Sequence, residues 1–207
     1  MEPALQLLTP KAKVQASCKE HRSVFLATLY PAGSTEEVKG LLAAHAGIFA
    51  DATHNCYAYM LGAGQETQYY SDQGEPSGTA GKPILHVLLR HGLTNALLVV
   101  SRYFGGIKLG VRGLIDAYTQ TAELVVAEAK AQDLLQPFRL LKAIKVSLEY
   151  PQLEQVNYLL RKHQAELSQP EFGAHVIALL SYPAEEQEGL PQYILDLTAS
   201  GQLKIIK

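Results

Sequence analysis

The sequence predicts an α+β protein of two domains, the first over residues 1–136 and the second over 138–207. Three observations carry that expectation. Strand-like and helix-like patterns are interspersed from Lys13 to Ala129, the composition changes at Gln136-Pro137, and from Arg139 a fresh series of strands and helices begins. A chain of 207 residues can bury a core as one large domain or two small ones.

In the first domain, Lys13 to Cys18 and Ser23 to Tyr30 read as strands joined by a polar turn. Ser34-Thr35-Glu36-Glu37 fits a capping box, with Val38, Leu41, Leu42 and His45 at helical spacing behind it and Gly47 as the expected C-cap. Thr53 to Leu61 alternates as a strand: His54, Cys56, Ala58 and Met60 share one face, and Asn55, Tyr57 and Tyr59 the other. Thr67 to Ser71 is its partner through the Gly62-Ala63-Gly64 turn. Ile84, Leu85, Leu88 and Leu89 form a short helix stopped by Gly92, with Thr79 as the expected N-cap and Pro83 in the first turn. Asn95 to Ser101 is apolar on both faces, so it is expected to be covered on both sides. Leu114, Tyr118, Ala122, Val125 and Ala129 mark a long amphipathic helix.

The second domain reads as a strand (Leu140 to Tyr150), a helix opened by Pro151, a short strand near Glu166, a strand over His175 to Tyr182, a helix, and a last strand from Leu203 to Ile206. That order, βαββαβ, is the ferredoxin-like split unit. Gly189-Leu190-Pro191 is expected to kink the second helix or delay its start, and Ser200-Gly201 to end it.

Composition narrows the function. A net charge of −2 provides no global field for nucleic acid or anionic membranes, so any such contact must be local. Cys18 and Cys56 have neither a CxxC spacing nor the density of a secreted disulfide scaffold. The first ten residues lack a signal peptide's basic start and apolar run, and the longest aliphatic run, Ala96 to Val100, is too short to span a bilayer. The expected location is the cytoplasm.

Two glycine-rich loops stand out: Asp72-Gln73-Gly74-Glu75-Pro76-Ser77-Gly78-Thr79-Ala80-Gly81-Lys82-Pro83 and Arg102-Tyr103-Phe104-Gly105-Gly106-Ile107-Lys108-Leu109-Gly110-Val111-Arg112-Gly113. Each follows a strand and opens a helix, where free N–H groups and the positive end of the dipole favour anions. Neither is a Walker loop or a GxGxxG fingerprint. With His54-Asn55-Cys56-Tyr57-Ala58, Gly113-Leu114 and Ala117-Tyr118, these loops resemble the YigZ/IMPACT family of bacterial proteins and a eukaryotic translational regulator. The resemblance implies a first domain similar to the second domain of ribosomal protein S-five and a second similar to the ferredoxin-like domains of elongation factor G. The chain departs from the family pattern at Gln73, where an acidic residue is usual, at Arg112, usually glycine, and at Asp116, often basic or small.

Each constellation has two readings. Asp72 and Glu75, with His54, are a carboxylate set for acid–base chemistry, or Asp72 caps its own loop. Lys82, Arg102, Lys108 and Arg112, with Gly105 and Gly106, form an anion cradle, or the glycines serve packing and the charges face solvent. His54 and Cys56 are a metal-binding or nucleophile–base couple, or a packed imidazole and thiol. Tyr57, Tyr59, Tyr69, Tyr70, Tyr103 and Phe104 stack on bases or pack, with Tyr103 and Phe104 the expected stacking pair. With what the resemblance implies, these predict a protein that binds RNA, the ribosome or translation factors through an anion-binding cleft, with no cofactor or metal. The alternative is a small hydrolase using Asp72, Glu75 and His54 in the same cleft. The two loops are expected side by side, with Asp72, Glu75, Arg102 and Lys108 lining one concave surface.

Overall fold

A computed structural model of the chain describes residues 7–184 and 190–206. Its backbone divides into two units between Phe138 and Arg139. The first is built on an antiparallel sheet of five strands, β2 (Val14–Glu20), β3 (Ser23–Pro31), β4 (His54–Leu61), β5 (Thr67–Ser71) and β6 (Ala96–Tyr103), in the spatial order β2-β3-β6-β4-β5. Alternation along β6 explains its doubly apolar sequence. Ala96, Leu98 and Val100 join Phe25, Cys56, Ala58 and Met60 against the helices α2 (Gly81–Arg90) and α3 (Gly110–Ala131). Leu97 and Val99 pack with Tyr30, Val38 and Leu61 on the opposite face, where α1 (Thr35–Ile48) lies.

Ser34 caps α1 as its sequence indicates, accepting from Glu37 N at 3.2 Å, but the Glu37 carboxylate reaches Gly33 N instead of closing the box on Ser34. The expected stop at Gly47 is corrected. The helix runs on to a cap at Phe49, whose N–H bonds His45 O and whose ring lies 4.4 Å from the His45 ring. Gly92, at φ 60°, does end α2. A two-stranded ribbon went unread in the sequence: β1 (Leu8–Pro10) pairs with β7 (Leu135–Pro137). At three residues each, these strands are too short to show a period. The pairing carries Gln136-Pro137 into the first unit.

In the second unit β8 (Leu141–Leu148), β9 (Glu166–Phe172), β10 (Val176–Pro183) and β11 (Lys204–Ile206) form an antiparallel sheet ordered β11-β8-β10-β9, the fourth-first-third-second order of a ferredoxin-like domain. Helices α4 (Leu153–Lys162) and α5 (Gln192–Ala199) bury Val156, Leu160, Ile194 and Leu197 against it. Strand β9 is longer than expected because Gln169-Pro170 is absorbed as a bulge on an edge strand, where proline is tolerated. Gly189 lies outside the described residues, and α5 starts after Pro191. Among the described residues no helix is long and apolar enough to cross a membrane. Because each unit has its own sheet and buried core, residues 1–138 and 139–207 produced separately are expected each to unfold cooperatively. A half that gives no cooperative urea transition sinks that expectation.

Candidate functional site

Strands β5 and β6 both run antiparallel to β4, so they point the same way and deliver the two glycine-rich loops to one end of the sheet. The first loop leaves β5 after Ser71 and the second leaves β6 after Tyr103. His54, the first residue of β4, is opposite Arg102 at that same end.

The first loop is organised by Asp72. Its Oδ1 accepts from Ala80 N (3.0 Å) and Gly81 N (2.8 Å), and its Oδ2 from Gly78 N (2.8 Å). Ala80 N and Gly81 N are groups that the start of α2 would otherwise leave unsatisfied, and the bond from Gly78 N closes the loop ahead of them. Two expectations are therefore corrected. Thr79 is not the N-cap, since its hydroxyl donates to Pro76 O at 2.7 Å, and Asp72 does not line the concave surface, because both its oxygens face the loop's own backbone. At Gly81 a Cβ would lie 2.8 Å from the Ser71 backbone, so no larger residue fits under this cap. Asp72→Asn keeps one acceptor and aims an amide N–H₂ at donors. It is expected to destabilise the first unit by about 1–2 kcal/mol, read as a lower urea midpoint. An unchanged midpoint would exclude the capping role.

Glu75 projects from this loop into a buried cluster. Its Oε1 accepts from Arg102 Nη1 at 2.6 Å and from the Tyr118 hydroxyl at 2.9 Å, with both ion-pair side chains under 8% exposed. Tyr118 in turn accepts from the Cys56 thiol, which also reaches Asp72 O at 2.9 Å. Burial pushes the Cys56 thiol up to about 12 and raises the Tyr118 phenol as well, so both stay protonated and act as donors. Cys56 is thus a packed thiol. The Arg102 guanidinium lies 5.5 Å from the Phe25 ring and 5.4 Å from the Phe104 ring, and its Nε is buried without a hydrogen-bond partner.

Above this cluster opens a cavity of about 490 Å³, walled by Thr53, His54, Glu75, Pro76, Arg102, Phe104 and Lys108 and by the start of α3, Leu109 to Val111, with Leu114 below. His54 Nδ1 donates to Gln73 O at 2.8 Å, which leaves Nε2 unprotonated in the neutral ring. Helix α3 begins with no side-chain cap and no acidic residue in its first turn. Its N–H groups and Lys108 therefore give the cavity a positive rim.

Glu75, Arg102, Lys108, His54 and Phe104 are brought together, while several other candidates are not. Lys82 is exposed on α2 outside the cavity, and Arg112 pairs with Asp116 at 3.5 Å on the exposed side of α3. The family departures at 112 and 116 are thus two halves of one ion pair. Tyr103 donates to Asp51. Gly105 is required by packing: a Cβ there would fall 2.0 Å from Arg22 O, in the β2–β3 turn where His21 and Arg22 adopt positive φ. Gly106 does not line the cavity either, whereas Gly110, at φ 71°, does. Tyr118 was read in the sequence as a position on the amphipathic helix and in the family signature, with no role in the site. Its signal was a hydroxyl on a buried helix face, which demands a partner.

A model described as the Impact N-terminal domain matches residues 21–126, and one described as a domain of unknown function (DUF1949) matches residues 146–200. "IMPACT family member YigZ" of Escherichia coli is 31% identical over 96% of both chains. The chain belongs to the IMPACT family. "IMPACT family member YvyE" of Bacillus subtilis is 36% identical over 72% of this chain, the match spanning 66% of that relative. Among solved structures, "Crystal structure of an hypothetical protein" matches with a TM-score of 0.64 and 29% identity, covering 97% of this chain and 96% of that one. The Impact N-terminal match spans both loops, the Glu75–Arg102–Tyr118 cluster and the start of α3.

Proposed function

We propose that this IMPACT family chain is an RNA- or ribosome-associated protein acting in translation, and that it holds a phosphate in the cavity between its glycine-rich loops. The observation that carries this reading is the uncapped, acid-free start of α3 beside Lys108, both opening on the cavity. Donors fixed there meet an anion without reorganisation. Glu75 does not oppose it, since its charge is matched by Arg102 at 2.6 Å. The translational setting is supported by the family resemblance, which includes a eukaryotic translational regulator. Hydrolysis by Asp72, Glu75 and His54 is the poorer reading, because both Asp72 oxygens are committed to backbone N–H groups.

Anisotropy titrations of labelled single-stranded RNA and of ribosomal subunits against salt test the proposal. Binding is expected to weaken with salt, and Lys108→Ala to reduce the log–log slope by about 0.7–0.9. Arg112→Ala, whose charge is already paired with Asp116, should change little. Salt-insensitive binding with Lys108 dispensable, or turnover of a substrate abolished by Glu75→Gln, would overturn it.

A further inference from the structure

We infer that the cavity takes a single nucleotide carrying a phosphate monoester, either free or as the terminal nucleotide of an RNA, and not the run of an RNA backbone. The inference rests on the reading of this cavity as a phosphate site and specifies what reaches it.

Charge is the first argument. A groove that follows a single strand neutralises successive phosphates along several nucleotides. Of the four cations of the two loops, Arg102 is bonded to Glu75, Arg112 is paired with Asp116, and Lys82 does not line the cavity. Lys108 and the N–H groups at the start of α3 remain, enough to receive one phosphate.

Shape is the second. At about 490 Å³ the cavity is in the range of pockets that enclose one small ligand. Its walls are mostly apolar: Pro76, Phe104, Leu109, Val111 and Leu114. Phe104 is 46% exposed, so its ring has a face available for stacking a base while the Arg102 guanidinium lies on it from within.

The third is an unmet hydrogen bond. Arg102 is 5% exposed and lines the cavity, yet its Nε has no partner. A buried N–H left unmade is costly, and a small turn of the guanidinium towards the cavity it borders would let a ligand acceptor satisfy it. Beside it Glu75, also on the cavity wall, has its Oε1 taken by Arg102 and Tyr118. A guanidinium next to an aromatic face suits a base or ribose, and the phosphate falls to Lys108 and the start of α3.

The test measures binding of the full chain to one short RNA in four forms: 5′-phosphorylated, 3′-phosphorylated, unphosphorylated and circular. The four nucleoside 5′-monophosphates, a nucleoside and inorganic phosphate are titrated separately by isothermal calorimetry. At least one phosphorylated end is expected to bind about 10-fold tighter than the circle, a mononucleotide to compete with it, and Phe104→Ala and Lys108→Gln each to weaken both about 10-fold. Phe104→Tyr, which keeps the ring, should retain binding. A circle that binds as well as the phosphorylated ends overturns the single-nucleotide inference and leaves RNA binding standing. A mononucleotide that binds where no RNA does supports the free-nucleotide form and removes the RNA reading. No binding of any form removes both.

Discussion

Glu75→Leu is expected to destabilise the first unit by about 3–5 kcal/mol, because it leaves the Arg102 guanidinium buried without its counter-charge. Tyr118 loses its acceptor in the same step. Glu75→Gln, whose amide oxygen still accepts from both, should cost roughly half as much. The informative comparison is the double variant Glu75→Leu/Arg102→Met. Removing both charges removes the mutual need, so it should recover most of the loss. Urea unfolding of the wild type, the single variants Glu75→Leu and Arg102→Met, and the double variant supplies the cycle. If the double variant is as unstable as the sum of the singles, the pair is not coupled and the cavity floor is held by packing alone.

How much of this was legible in the sequence depends on how local each interaction is. The strands of the sheet, the amphipathic α3 and the βαββαβ order follow from periods of 2 and 3.6 that a short window contains. So does the alternation that sends Cys56, Ala58 and Met60 to one face and Tyr57 and Tyr59 to the other. The site was legible only in part. That both loops share one end follows from β5 and β6 each pairing with β4, a register the sequence does not display. Sequence pattern alone could not tell that Asp72 turns inward to three N–H groups while Glu75, three positions on, reaches Arg102 across 27 residues. Arg112 and Lys108 look alike as loop cations. A helical i,i+4 partner at Asp116 separates them, and that depended on where α3 begins. The His45 network was missed for the same reason. It read as one more position on the inner face of α1, yet it joins three elements far apart in the chain.

Acid is expected to destabilise the first unit through His45. The ring is 1% exposed, with Nδ1 2.8 Å from the Tyr30 hydroxyl and Nε2 2.8 Å from Ser101 Oγ. Ser101 spends its proton on Asn55 Oδ1 at 2.6 Å, so it must accept from His45 Nε2–H, and Nδ1 in turn accepts from Tyr30. Burial, then the nearby Lys13 charge, lowers the His45 pKa from 6.5 to about 4 against a smaller opposing effect of Asn55. The folded protein therefore binds its proton later than the unfolded chain does. The contribution is complete above pH 6.5 and is lost progressively as pH falls towards about 4, below which it falls no further. A difference of that size corresponds to about 3 kcal/mol. His45 also borders a second cavity of about 330 Å³, and screening from that side leaves about 2–3 kcal/mol. Global-opening hydrogen exchange of the β6 amides, measured at pH 7 and pH 4.5 in the full chain and in His45→Gln, isolates the term from the titrating carboxylates. The variant should be less stable at pH 7 and lose less on acidification. If the two proteins lose stability in parallel between those pH values, His45 is not the group that acid charges.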